Sequence, residues 1–242
     1  MFRDREDAGA KLGLELSNLK LHQPVVLALP RGGVPVAVEV ARALNAPLDL
    51  LIVRKVGAPG NPELAVAAIV DGDPGDVVLN REIVEAYALD EGELRVLIAN
   101  ERPELERRRA AYRGKTKPIS IAGKTAIIVD DGAATGTTLK IAIRAIKRRS
   151  PREIIVAVPV SPQETVAELA CEADRVVCLS QPGQFRALSY HYMRFPQLSD
   201  SDVVAVIGEA GRSQTDRQHL SGQHAAGSKV ATKTMPRNNR EK

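Results

Sequence analysis

A chain of 242 residues and 26.1 kDa, with 44% hydrophobic and 26% charged residues, can bury a core of ordinary domain size, which excludes wholesale disorder. No apolar run approaches the roughly 18 residues of a membrane-spanning helix, and the charged start MFRDREDAGAKLG lacks the apolar stretch of a secretory signal, so a cytoplasmic protein is expected. The isoelectric point near 9.1 looks like that of a nucleic-acid binder, and aromatics are scarce, with three Phe, four Tyr and no Trp.

In chain order, residues 3–19 read as an amphipathic helix, with Leu12, Leu16 and Leu19 at helical intervals. A series of short apolar runs follows: Val25–Leu29, Leu48–Val53, Thr125–Val129, Ile154–Val158 and Val176–Leu179. They are rich in Val and Ile and do not alternate, as expected of strands buried on both faces. Helical patterns at Val34–Leu44, Thr137–Arg149 and Pro162–Ala173 lie between them. Strand–helix alternation predicts an α/β fold, an open and mostly parallel twisted sheet flanked by helices.

Ala65–Val70 and Val77–Leu79 flank DGDPGD and read as a hairpin. Asp71, Asp73 and Asp76 resemble a fragment of a calcium loop, but Pro74 and the lack of a downstream Glu break that pattern. Glu91–Arg113 reads as helical, with a break or a fresh start implied at Pro103. Arg107, Arg108 and Arg109 suggest a phosphate or nucleic-acid patch. Glu104 stands four residues before Arg108, and Arg102 four before Glu106, so a solvated helix face is the plainer reading.

The window Ala126–Thr138, AIIVDDGAATGTT, carries the most chemistry. A buried strand ends in Asp130 and Asp131, and a loop of small residues leads into a Thr-rich helix start. Ligands of open α/β sheets bind at the carboxyl ends of strands. The loop Gly132-Ala133-Ala134-Thr135-Gly136-Thr137-Thr138 has no bulky side chain, so its N–H groups can close on a phosphate, helped by the helix dipole and Thr hydroxyls. Two carboxylates beside an anion site repel it unless they have another task. Accepting hydrogen bonds from a vicinal diol, directly or through a divalent cation, is the economical one, and a sugar 5-phosphate supplies both groups.

Four of the seven aromatics, Phe185, Tyr190, Tyr192 and Phe195, fall near the end of the folded part. They read either as a cluster packing that segment onto the body or as a stacking surface for a flat ligand. Cys171 and Cys178 have no metal spacing and read as buried thiols, and the four His residues form no ligand pair. Residues 211–242 hold seven basic and two acidic residues, against 27 basic and 28 acidic in the rest. The basic excess therefore belongs to the tail, which is too polar to order itself and reads as a disordered, solvated terminus. The body, residues 1–210, is then slightly acidic, and no specific nucleic-acid partner and no membrane are expected.

The run Ile127–Thr138 resembles the phosphoribosyl-pyrophosphate signature of type I phosphoribosyltransferases: apolar strand, two acids, small residues, then Thr-Gly-x-Thr. Neither the Walker nor the Rossmann glycine pattern is present. The resemblance spans about residues 20–200 and is nearest to stand-alone members of the family. It implies transfer of ribose 5-phosphate from phosphoribosyl pyrophosphate to a nitrogen acceptor, with release of pyrophosphate and with magnesium. It implies that Leu29-Pro30-Arg31-Gly32-Gly33-Val34 is the pyrophosphate loop and that one of Arg54 and Lys55, with Lys55 favoured, meets the pyrophosphate.

By the same resemblance Asp130, Asp131, Lys55 and Arg31 carry the reaction, and Asp130 and Asp131 are the candidate magnesium contacts, directly or through water. Gly32, Gly33 and Gly132–Thr138 bind the phosphosugar, and a hood at about 180–200 offers Phe185 and Tyr190 to a base. A mobile loop is expected somewhere in 80–118, and a homodimer is expected. In the 6-oxopurine enzymes an Asp precedes the Thr-Gly; here Ala134 stands there, which argues against hypoxanthine or guanine as acceptor. A base from elsewhere would be Glu63, Glu101 or Glu104. The competing readings are a noncatalytic phosphosugar-sensing regulator of the same fold and an unrelated sugar-phosphate hydrolase. The folded part offers no basic face for the first and no convincing nucleophile or metal cluster for the second.

Overall fold

The computed structural model describes residues 1–72, 76–114 and 116–210. The tail at 211–242, with Asp73 and Pro74 of the acidic turn, lies outside the described residues. The chain divides into two units, Met1–Ile207 and Gly208–Lys242, and of the second only residues 208–210 are described.

The first unit is built on five parallel strands in the order β2 (Leu48–Leu50), β1 (Val25–Ala28), β6 (Thr125–Val129), β7 (Glu153–Val160) and β8 (Arg175–Ser180). Every residue of β1 and β6 is buried, which is why those runs do not alternate. Helices α1 (Arg5–Ser17), α2 (Gly33–Leu44), α5 (Thr137–Lys147) and α6 (Gln163–Ala170) pack around this sheet. In α1, Asp4 caps the first turn by accepting from the Asp7 N–H at 2.9 Å, and Ala8, Leu12 and Leu16 bury the inner stripe. A Cβ on Gly9 would stand 2.5 Å from the Val36 carbonyl oxygen, so glycine there sets how closely α1 lies on α2.

The predicted strand Leu48–Val53 is two strands. Leu48–Leu50 joins the main sheet, and Val53 opens β3 (Val53–Ala58) of a second, antiparallel sheet with β4 (Asn61–Val70) and β5 (Asp76–Leu79). Leu51 and Ile52 are both buried at the crossing, with Leu51 N–H on the Ala28 carbonyl and Asp71 N–H on the Ile52 carbonyl. One apolar run serves two sheets because both of its faces are covered where it changes over. The hairpin around the acidic turn forms as β4 and β5.

The interval 80–118, where a mobile loop was expected, holds α3 (Arg81–Ala86) and α4 (Glu91–Arg113). Asp90 opens α4 with a reciprocal capping box to Glu93. The helix runs through Pro103 instead of breaking there. Both Pro103 and Ala99, whose carbonyl loses its partner, face solvent, so water can satisfy that oxygen. A last helix, α7, occupies 200–207 of the first unit and buries Val203. Among the described residues no helix is long and apolar enough to cross a membrane.

Candidate functional site

The chain runs outward from β1 to β2 on one side of the sheet and from β6 through β7 to β8 on the other. The order therefore reverses between β1 and β6, where an open sheet leaves a crevice at its carboxyl edge. The register pairs Ala28 with Val129, so the loops leaving the two strands begin side by side. One is Leu29–Gly32, with the Pro30–Arg31 peptide cis, and it ends where Gly32 caps α2. The other is Asp130–Gly136, ending where Gly136, at φ 66°, caps α5.

Glycine is required where these loops meet. A Cβ on Gly32 would lie 2.1 Å from Asp131 Oδ2, and one on Gly33 would lie 2.6 Å from the Val129 carbonyl oxygen. Neither distance is compatible with a side chain, so the first loop rests directly on the acids of the second. Gly132 sits under the C-terminal segment, where a Cβ would meet Leu188 Cδ2 at 2.1 Å.

The two acids differ. Asp131 is buried, and its Oδ2 accepts from Arg5 Nε at 2.8 Å. Its main-chain carbonyl accepts from the Tyr192 hydroxyl at 2.5 Å. Asp130 is half-buried, and its Oδ1 accepts from the Asp131 N–H at 2.9 Å. Burial, reinforced by the charge of Asp131, pushes the Asp130 carboxyl well above the usual carboxylate range. Burial also raises Asp131, against the pull of Arg5.

Beyond the acids the loop turns outward. Ala133 is buried, with its N–H on the Val160 carbonyl; Ala134 and Thr135 are exposed. The Ala134 carbonyl accepts from Thr165 Oγ1 at 2.9 Å, and the hydroxyls of Thr135 and Thr137 lie 3.1 Å apart. Thr137 and Thr138 begin α5, whose first-turn N–H groups have no intrahelical acceptor. That arrangement attracts an anion, and the neighbouring Asp130 can accept from hydroxyls.

Arg31 is part-exposed beside this crevice, its Nη1 3.8 Å from Asp200 Oδ1. Arg54 and Lys55 do not follow a strand of the main sheet, as expected from sequence, but lie inside β3. There Arg54 donates to Glu101 at 2.6 Å, while Lys55 is exposed on the opposite face of the strand. Glu104 is engaged by two arginines. Arg107 and Arg108 both donate to it and hold its carboxyl at about 2. The Glu63 side chain lies outside the described ones.

The Arg-rich face of α4 is only partly solvated. Arg107 also reaches Asp200 at 2.8 Å, beside the Tyr112 hydroxyl at 2.5 Å, and Arg109 approaches buried Asp71 at 3.5 Å. Asp71 is therefore a charge partner of α4. Among the described residues no cluster of three His, Cys, Asp or Glu could hold a metal ion.

The aromatic segment divides as well. Tyr192 is buried between Phe2 and Phe195, at centroid distances of 5.5 and 4.8 Å, so these two positions pack the segment. Phe185 is half-buried and stacked on His191 at 5.2 Å, and Tyr190 is 63% exposed. Of the expected site, Gly32, Gly33, Asp130 and Asp131 come together at the crevice, with Gly136–Thr138 closing the second loop.

Sequence reasoning missed Arg5 and the bracing role of Tyr192. Arg5 had a signal: with Ala8, Leu12 and Leu16 it falls on the apolar stripe of α1, where an unpaired charge does not belong.

Comparison with known proteins matches residues 4–189 to the family model described as phosphoribosyl transferase domain. Two curated proteins of Mycobacterium tuberculosis, which carry phosphoribosyl transferase as a provisional name, are each 44% identical over 212 residues. These matches cover 88% of this chain and 47% of the relatives, so the chain spans about half their length. A crystal structure of the protein TT1426 from Thermus thermophilus superposes with a TM-score of 0.74 at 42% identity, covering 86% of this chain and 98% of that one.

Proposed function

This chain belongs to the phosphoribosyl transferase family, and from that membership we propose that it transfers ribose 5-phosphate from phosphoribosyl pyrophosphate to a nitrogen acceptor. The C1–oxygen bond to pyrophosphate breaks, a C1–nitrogen bond forms, and the acceptor nitrogen gives its proton to water or to a base supplied with the acceptor. The observation that carries this reading is the direct seating of the Gly32–Gly33 loop on Asp130 and Asp131, beside the Thr-rich start of α5.

In this reading the 5-phosphate lies on Ala134–Thr138, where loop and first-turn N–H groups and Thr hydroxyls donate to it. Asp130 accepts from the ribose diol, and its negative charge favours the cationic sugar at the transition state. The diphosphate lies against the amides of Gly32 and Gly33 with Arg31 beside it, and Lys55 adds charge from β3. Magnesium, when bound with the substrate, neutralises diphosphate charge and makes it a better leaving group. Asp130 is the residue suited to hold it, through water, because Asp131 already faces the Arg5 guanidinium. Ala134 supplies no carboxylate, so the acceptor is a nucleobase or amine outside the 6-oxopurines, approached from the segment that holds Phe185 and Tyr190.

The test is pyrophosphate release from phosphoribosyl pyrophosphate and magnesium across a panel of nucleobases and amines. One acceptor is expected to stimulate release, and Asp130→Asn with Asp131→Asn is expected to abolish it. Undiminished turnover in that double variant would overturn the reading.

A further inference from the structure

Arg5 is the buried charge that the proposed reaction does not use. It comes from the first turn of α1, 126 residues from its partner, and is 6% exposed. Its contacts leave it no freedom: Nε donates to Asp131 Oδ2 at 2.8 Å, Nη1 donates to the Pro196 carbonyl at 2.8 Å, and the guanidinium lies 3.8 Å from the centre of the Phe195 ring. We propose that Arg5 is a positioning residue of the phosphosugar site, turning the Asp131 carboxylate inward beneath Gly32 so that Asp130 is the carboxylate presented to the sugar diol. This inference rests on the phosphosugar reading given above.

Stability alone accounts poorly for Arg5. A buried ion pair loses in desolvation about what it gains in attraction, and a well-packed apolar pair often serves a fold as well or better. What the ion pair adds is direction. With Oδ2 held by Arg5, the main-chain carbonyl held by Tyr192 and Gly32 closing over the carboxylate, Asp131 cannot swing into the crevice. The Asp131 N–H in turn fixes Asp130 by donating to its Oδ1, which leaves Asp130 Oδ2 for a ligand. The two adjacent acids thus have separate tasks, and Arg5 assigns them. The same guanidinium reaches Pro196, directly after the aromatic stretch in which His191, Met193 and Arg194 exchange main-chain hydrogen bonds with Phe2 and Arg3. The acid pair, the chain start and the 191–196 segment therefore meet at Arg5.

Calorimetric titration with two probes, ribose 5-phosphate and inorganic phosphate, separates positioning from folding. Both probes use the loop amides, but only the first uses the acids. The wild-type chain is expected to prefer ribose 5-phosphate. Arg5→Met keeps the side-chain stem over Phe195 and is expected to lose about tenfold or more of that preference, one charge-assisted hydrogen bond's effect, with phosphate affinity nearly unchanged. Arg5→Lys is expected to recover part of the loss.

If Arg5→Met fails to fold, Arg5→Met with Asp131→Asn leaves no buried unpaired charge and is expected to show the same lost preference. A variant lacking Arg5 that folds and keeps the full preference overturns the inference while leaving the phosphosugar reading intact. A wild-type chain that binds phosphate with no preference for the sugar overturns that reading, and the inference with it.

Discussion

Tyr192 donates its hydroxyl to the main-chain carbonyl of Asp131 across 61 residues of sequence, at 2.5 Å and out of contact with solvent. The aromatic segment is therefore first a brace for the acid loop. Burial raises the Tyr192 phenol far above its usual range, so it remains a donor at any physiological pH. Tyr192→Phe leaves the Asp131 carbonyl buried without a partner and is expected to cost about 1–3 kcal/mol of stability. Urea denaturation reads this as a lower midpoint at unchanged slope. An unchanged midpoint would show that the brace contributes nothing.

Gly32→Ala places a methyl group where Asp131 Oδ2 stands, 2.1 Å from the ideal Cβ position. Asp131 cannot step aside without breaking its bond to Arg5. The first loop must lift instead, which takes the Gly32 and Gly33 amides away from the acids. The expected result is a loss of tenfold or more in affinity for phosphoribosyl pyrophosphate, with overpacking costing about 1–3 kcal/mol in stability. Calorimetry and thermal unfolding check the two parts separately, and unaltered affinity would mean that the contact is not part of the site.

The sheet and the loop that begins at Asp130 were legible because their signals are local. Val and Ile runs covered on both faces read as strands, and paired acids before small residues and Thr read as a tight passage from strand into helix. Three features were not legible because each depends on a partner distant in sequence. Arg5 stands out in sequence only as a charge on the apolar stripe of α1, and what pairs it is not known until Asp131 and Phe195 are placed around it. Leu48–Val53 is one apolar run by composition and two strands by topology. Asp71 looks like part of an acidic turn until Arg109 and Arg113 of α4 approach it.

Neighbouring carboxylates should respond to amide substitution with opposite signs. Asp131→Asn relieves the burial that raises the Asp131 carboxyl, but it leaves the Arg5 guanidinium buried without a charge partner; the second effect dominates, and the variant is expected to destabilise by about 3–5 kcal/mol. Asp130 carries a raised pKa, so the folded state holds that proton more tightly than the unfolded state. The stability it contributes is present below the ordinary value of 3.8 and is lost as pH rises through 3.8 toward the raised value. Asparagine does not titrate. Without ligand, Asp130→Asn is therefore expected to melt above the wild type at neutral pH, and the gap should close as pH falls to about 4. Parallel melting curves across that range would contradict the raised pKa.

Arg113 closes a second buried charge network, at the far end of α4. Its side chain, 5% exposed, lies 2.6 Å from Asp49 Oδ1 and 3.3 Å from Asp71 Oδ2, and it donates to the Leu50 carbonyl at 2.7 Å. Asp49 belongs to the main sheet and Asp71 follows β4 of the second, so this one guanidinium serves both sheets. Arg113→Met takes the shared guanidinium away from Asp49 and from the buried Asp71 and is expected to cost about 3–5 kcal/mol. The check is the urea midpoint at neutral pH.

Pro103 makes the opposite prediction, a gain. It stands in the interior of α4 with a regular helix on both sides, so the Ala99 carbonyl has no N–H to accept. Proline in an exposed helix interior is disfavoured relative to alanine by about 3 kcal/mol. Part of that is returned because proline also restricts the unfolded chain. Pro103→Ala touches neither the crevice nor the ion pairs at Glu101 and Glu104. The variant is therefore expected to gain about 1–2 kcal/mol in denaturant unfolding. Its phosphosugar affinity should be unchanged. A gain accompanied by weaker binding would mean that a proline-induced bend in α4 sets the position of Arg107 and Tyr112 around Asp200, and through Asp200 that of Arg31 in the first loop.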